Sequence, residues 1–181
     1  DKKVIYLSSD IFTVEFVEAI KTNTVNEFSS FYRGMDVLII DDIQFLIGKE
    51  KTQDHFFHIF NTLHQARKQI ILSSDKTPKD LKGLDERLIS RFQWGLNADI
   101  QPPEFEMRLA ILKRKCEDYG MFLQNEILEY IASNITSNIR ELEGCLIKLL
   151  ATASLKSAEI NLNLAKKTVR EISKKKKIHV T

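Results

Sequence analysis

Residues Val37-Leu38-Ile39-Ile40-Asp41-Asp42 constrain this chain more than any other stretch, because four large aliphatics run straight into two adjacent carboxylates. An apolar run without polar alternation fits a strand of a parallel α/β sheet covered on both faces. Open α/β sheets bind ligands outside the carboxyl ends of their strands, which is where Asp41 and Asp42 would sit. Adjacent acids repel, and near the edge of a sheet they cost stability unless a cation or a proton is shared between them. The hexapeptide therefore reads as a magnesium-binding edge with Asp41 as the metal carboxylate. A solvated turn after a buried strand is the alternative.

The sequence around this strand supplies further elements of the same class. Residues 4–7 read as a short buried strand, ended by the helix-capping cluster Ser8-Ser9-Asp10. Phe12, Phe16 and Ile20 recur at helical spacing, then Val25, Phe28 and Tyr32 mark a second helix that Gly34 ends. After Asp42 comes a loop with a basic tip, and a helix starting at Thr52 or Gln53 carries Phe56, Phe60 and Leu63. Gly48-Lys49 is not a phosphate loop, because no glycine precedes at the required spacing and Glu50 follows the lysine. A strand over 69–72 ends in Ser73-Ser74-Asp75, again polar groups at a carboxyl end. Residues 85–92 form a short helix with Arg87 and Arg91 on one face, and a last strand is expected around 96–100.

Gln101-Pro102-Pro103 is the clearest boundary. Everything after it carries helical spacing: Phe105, Leu109, Leu112 and Cys116 up to Gly120; Ile127 and Ile131; Ile139, Leu142, Leu146 and Leu149; Leu164, Val169 and Ile172. The expected organisation is an α/β unit over 1–101, a helical bundle over 102–173 and a basic stretch over 174–181. Composition agrees with a folded soluble protein, at 43% hydrophobic and 29% charged residues, and argues against disorder. The net charge is only +2, yet Lys166, Lys167, Arg170 and the lysines at 174–177 face a single acid, Glu171. Cys116 and Cys145 lie in apolar helical patterns without metal or disulfide spacing, so they read as buried thiols in a reducing compartment. No apolar run is long enough to span a bilayer and no signal peptide opens the chain, which makes the cytoplasm the default location. The start without Met, entering at once into a strand, reads as a piece cut from a longer protein.

The two strand ends, the arginine pair and the helical appendage together resemble an AAA+ nucleotide-binding protein. Three motifs sharpen the likeness: Ile39-Ile40-Asp41-Asp42-Ile43-Gln44-Phe45, Arg87-Leu88-Ile89-Ser90-Arg91-Phe92-Gln93-Trp94-Gly95-Leu96 and Asn138-Ile139-Arg140-Glu141-Leu142-Glu143-Gly144. In that order they resemble the DnaA family of bacterial replication initiators, over about residues 3–175. The resemblance implies an AAA+ P-loop-type parallel sheet flanked by helices and followed by a small helical lid. It implies an ATP-dependent initiator of chromosomal replication that binds ATP or ADP with Mg2+, oligomerises on the origin and helps unwind it. Slow hydrolysis would be the off switch, a slow ATPase in the full-length protein and an inactive one in this stretch alone.

Residue by residue, Asp41 looks like the Walker B acid, and Asp42 stands where many AAA+ proteins place a water-activating Glu. Asp75, with Ser74, looks like the sensor 1 region; a strand-end cap is the alternative. Arg91 resembles an arginine finger, Arg87 an intersubunit partner, and Arg140 the sensor 2 arginine, whose alternative is pairing with Glu141 or Glu143. Val17, Lys49, Lys51 and Thr52 match the family's contacts to single-stranded DNA inside a helical filament. The lysines at 174–177 would begin the connector to a double-stranded DNA-binding domain outside this chain, with a solvated tail as the alternative. The family's phosphate loop would lie upstream of Val4. Implied partners are origin DNA, further copies of the protein, and possible contacts with a helicase, sliding-clamp-linked regulators and acidic membrane lipids. A DnaA-like regulatory adaptor and an AAA+ helicase loader are the competing readings.

Overall fold

The computed structural model describes residues 1–156 and 159–178, with the backbone alone for 156 and 173–178. The chain divides into two compact units, Asp1–Ala98 and Asp99–Thr181.

In the first unit, β1 (Val4–Ser8), β2 (Val37–Asp41) and β3 (Gln69–Leu72) form a parallel sheet with β2 in the centre. The strands are joined through helices α1 (Ser9–Lys21) and α2 (Val25–Arg33) on one crossover and α3 (Glu50–Gln65) on the other; α4 (Glu86–Trp94) follows β3. Ser8 caps α1, accepting the Ile11 amide on its hydroxyl at 3.3 Å, as a serine before an apolar helical pattern should. In register, Leu38 lies between Ile5 and Ile70, and Ile40 between Leu7 and Leu72. This face meets Phe12, Tyr32, Phe56, Ile59, Phe60, Leu63, Leu88 and Phe92, which are buried with it in one core. Phe12 is the hub, with the rings of Phe28, Tyr32 and Phe56 at 5.1–5.4 Å in edge or T-shaped arrangements that suit aromatic quadrupoles.

The parallel sheet flanked by helices is as expected, but the reading of β1 as a buried strand is corrected: on the open face of the sheet Val4, Tyr6 and Ile71 are 58%, 66% and 47% exposed. The strand expected around 96–100 is absent. Leu96 and Ile100 are exposed and residues 95–103 are irregular, because alternation alone forms no strand without a neighbour to take its backbone hydrogen bonds. The third correction is that α3 begins at Glu50, two residues before the expected start. A 3-10 turn over Ile43–Leu46 leads to Gly48 in the left-handed region at φ 78°, and Lys49 takes the capping position.

The second unit is a bundle of α5 (Phe105–Asp118), α6 (Asn125–Asn134), α7 (Ile139–Lys156) and α8 (Leu162–Ile178). Leu112, Cys116, Ile127, Ile131, Leu142, Cys145, Leu146, Leu149 and Val169 share its core. Gly120 ends the connection out of α5 at φ 63°, which a β-carbon would strain. Both cysteines are free and buried; burial raises the Cys116 thiol and pushes Cys145 up to about 12, so neither is a thiolate at neutral pH. The lysine run at 174–177 has its backbone at the end of α8, while its side chains and residues 179–181 lie outside the described residues.

His55 joins three helices of the first unit. Its ring stacks on Phe16 with centroids 4.5 Å apart, and Nε2 is hydrogen bonded to the Ser29 hydroxyl at 2.7 Å. Burial, then the charges of Arg33 and His58, hold its pKa below the ordinary value of 6.5. The unfolded chain therefore takes up this proton first as pH falls, so the contribution of neutral His55 is complete above about 6.5 and shrinks below it. Denaturant midpoints measured through this window should fall with pH, and His55→Gln should flatten that dependence.

Candidate functional site

The site is built where β2 leaves the sheet. In the register, Asp41 lies level with Ser8 and on the same face as Tyr6 and Ile39, the open face. The Tyr6 hydroxyl donates to Asp41 Oδ2 at 3.0 Å, and the Ser73 hydroxyl donates to Asp41 Oδ1. Residues from both flanking strands thus orient the Asp41 carboxylate. The hydrogen bond to Asp41 and its negative charge raise the Tyr6 phenol above its ordinary range, keeping it a donor.

Asp42 turns the chain. Its φ and ψ of 56° and 53° are left-handed, a region that Asp and Asn visit more readily than most residues. Its amide donates to the Ser73 hydroxyl at 3.0 Å, and its carbonyl accepts from the buried Ser9 hydroxyl at 2.6 Å. Its carboxylate accepts from Gln44 Nε2 at 2.9 Å, while the other end of Gln44 accepts weakly from the Asp75 amide at 3.4 Å. Asp41, Asp42 and the backbone of Asp75 are therefore brought together at one strand end.

The donor set can be tested against magnesium. Among the described residues no group of three or more His, Cys, Asp or Glu could hold a metal unaided. Magnesium seldom uses such a cage; it takes one or two carboxylates and completes its shell with water and substrate phosphate. Two half-buried adjacent carboxylates, one fixed by two hydroxyls, fit that requirement.

The other sequence candidates fall into separate places. Arg87, on α4, is engaged within the chain: it binds Asp85 at 2.7 Å and Asp54 at 3.0 Å, and stacks over Phe57 at 4.5 Å. Those carboxylates raise the guanidinium pKa further, and Arg87 in turn holds Asp85 below the usual carboxylate range. Arg91, one turn on, is half-buried and lies 4.8 Å above the Trp94 ring. Val17 is 41% exposed on α1. Lys49 pairs with Asp10 at 2.9 Å and Lys51 is exposed in the first turn of α3. Thr52 is buried at 4%, so it has no side-chain surface to present and could offer a ligand only its backbone. Arg140 is exposed on α7, in the second unit.

Sequence reasoning missed Tyr6, Ser73, Gln44 and Asp10. The signal for Ser73 was present: it is the first polar residue after the third apolar run, and parallel strands in register bring such residues level. Picking Ser73 over Ser74 needs the register itself, Ile40 beside Leu72.

Compared with known proteins, residues 1–99 match the family described as "Bacterial DnaA ATPAse domain". The chain is 57% identical over 169 residues to the chromosomal replication initiator protein DnaA of Chlorobaculum tepidum, covering 93% of this chain and 34% of that protein. It is 51% identical over 179 residues to the same-named protein of Thermoanaerobacter sp., covering 99% of this chain and 40% of the relative. The chain thus spans little more than a third of the length of these relatives. Among solved structures, domain III of the Thermotoga maritima replication initiation protein DnaA superposes with a TM-score of 0.90 at 39% identity, covering 95% of this chain and 72% of that one. AMPPCP-bound DnaA from Aquifex aeolicus superposes with a TM-score of 0.76 at 45% identity, covering 83% and 46%. A replication initiator DnaA bound to AMPPCP and single-stranded DNA gives 0.76 at 43% identity, covering 86% of this chain and 50% of that one. The Thermotoga maritima RuvB branch-migration motor, at 17% identity and a TM-score of 0.64, shares the AAA+ fold alone.

Ser73→Ala removes both the donor to Asp41 and the acceptor for the Asp42 amide, and should lower the stability of the first unit by about 1 kcal/mol. Ser74→Ala, whose hydroxyl only accepts the Lys76 amide, should cost less in the same chemical denaturation measurement.

Proposed function

This chain belongs to the bacterial DnaA ATPase-domain family, and from that premise we propose that it is the nucleotide-responsive core of a chromosomal replication initiator. The observation that carries the reading is the convergence of Asp41, Asp42, Ser73 and Gln44 at the carboxyl end of β2.

In this reading the bound nucleotide is ATP or ADP, as the AMPPCP in the Aquifex aeolicus relative supports. Asp41, with Asp42 acting through water, would hold Mg2+, which supplies charge neutralisation at the nucleotide phosphates. Tyr6 and Ser73 keep the Asp41 carboxylate aimed while the phosphate state changes. Asp42 orients the attacking water, and Gln44 holds its carboxylate. An aspartate there is one methylene, about 1.5 Å, shorter than the glutamate that many AAA+ proteins use. Turnover is then slow, which suits a switch better than a motor. Asp75 marks the phosphate-sensing end of β3, and Arg140 carries sensing into the helical lid.

Arg91 serves the nucleotide of a neighbouring copy, so that assembly into a filament depends on ATP rather than ADP. Arg87 supports the same interface from one turn earlier. Single-stranded DNA is held by Val17, Lys49 and Lys51 and by the backbone of Thr52, at the start of α3. Helix amides without intrahelical partners would donate to phosphate oxygens there, and the DNA-bound relative supports this partner. Origin duplex, helicase, clamp-linked regulators and acidic lipids belong to the whole protein in the same reading.

Arg91→Ala in the whole protein should leave ATP binding unchanged and abolish the ATP-dependent increase in sedimentation coefficient. Assembly that stays ATP-dependent in this variant would remove the finger role.

A further inference from the structure

We propose that Asp10 is a built-in competitor for nucleic-acid phosphate at Lys49. The inference rests on the single-strand reading of the loop before α3 and adds a residue which that reading does not contain.

Asp10 lies in the first turn of α1, and its Oδ1 is 2.9 Å from Lys49 Nζ. The two side chains are 56% and 35% exposed, so solvent and salt reach the pair. Lys49 is the residue at the start of α3, and no side chain caps that helix end. A phosphate approaching the first-turn amides of α3 therefore meets a lysine already facing a carboxylate. Glu50 and Lys51 follow, so the four side chains Asp10, Lys49, Glu50 and Lys51 sum to zero charge. Binding then exchanges one anion for another at Lys49, and Asp10 is left facing the incoming phosphate.

The pair is not what anchors α1 to this loop. Ser9, next to Asp10, is buried and donates to the Asp42 carbonyl at 2.6 Å, and Phe12 of the same helix is buried in the core. Asp10 can lose its charge without loosening that attachment. Exposed pairs contribute about 0–1 kcal/mol, weak enough to exchange whenever a polyanion is present. The consequence is a threshold: isolated phosphates compete poorly with a tethered carboxylate, while a strand that also reaches neighbouring sites displaces it.

The test measures binding of a fluorescent oligothymidylate to the whole protein, with ATP, across a salt series. Asp10→Asn should tighten binding about two- to fivefold at low salt, the equivalent of the exposed pair. The slope of log affinity against log salt should steepen by up to about 0.7, the value for one further phosphate contact on a single strand. Both changes should vanish in the Lys49→Ala background. If Lys49→Ala weakens binding while Asp10→Asn leaves it unchanged or weakens it, Asp10 positions the lysine or does nothing, and the inference fails alone. A gain that persists without Lys49 equally overturns it. If Lys49→Ala has no effect on affinity, the single-strand reading of this loop falls and the inference falls with it.

Discussion

Asp42 leaves β2 in the left-handed region, a conformation that costs a residue with a β-carbon roughly 1–2 kcal/mol. Three side chains hold it there: Ser73 accepts its amide, Ser9 donates to its carbonyl, and Gln44 donates to its carboxylate. They come from β3's end, from the start of α1 and from the turn itself, so three segments close on one residue. Because the chain turns here, Asp41 stays on the open face of the sheet while Ile43 and Leu46 go into the core. The same turn delivers Lys49 to the start of α3. Asn23 and Arg67 also take a positive φ just past the ends of α1 and α3, whereas at Asp42 it falls beside two carboxylates at a strand end.

The face beneath that turn is closely packed. Leu7, Leu38 and Ile40 present one side of the sheet to Phe12, Tyr32 and Phe56, and each of these rings touches another. Tyr32 is fully buried, and its hydroxyl donates to Glu15 at 2.5 Å; burial and that bond raise its pKa. Gln53, also buried, donates to the carbonyls of Leu46 and Gly83 and accepts the Asp85 amide at 2.7 Å. A single side chain on α3 thereby joins the end of the 3-10 turn to the start of α4. The turn that follows the two acids and the helix that carries the arginines thus share a polar link through Gln53.

The parts of this arrangement that depend on local pattern were legible in the sequence. Local pattern bounds β3 at Gln69 and Leu72, offers a capping cluster at Ser8-Ser9-Asp10 of which Ser8 is the cap, ends α2 at Gly34 and puts the acids at a strand's carboxyl end. What was not legible depends on pairing. Residues 96–100 alternate like a strand, but alternation says nothing about whether a partner strand exists. Tyr6 looked like core and is instead a donor on an open face, because the face on which β1 buries its residues is set by its helices. Asp10 looked like a helix-capping acid, and its second role at Lys49 needs the fold to bring α1 and α3 together at their starts.

Three of the cations proposed to meet phosphate or a neighbour already have partners within the chain. Lys49 has Asp10, Arg87 has Asp54 and Asp85, and Arg91 has the ring of Trp94. The Lys49 pair and the Arg91 contact are partly exposed, where an ion pair or a cation–π contact contributes about 1 kcal/mol or less, while Arg87, shared by two carboxylates and a ring, is held more firmly. A long cationic side chain left unpaired would sample many rotamers and lose up to about 2 kcal/mol of entropy when a ligand fixed it. A weak partner removes part of that loss in advance and gives way when a phosphate offers more. Buried partners would fail at this task, because breaking a buried pair costs several times as much. Partly exposed pairs are what the proposed reading requires, since contacts that form and release with the state of a nucleotide would have to break at low cost.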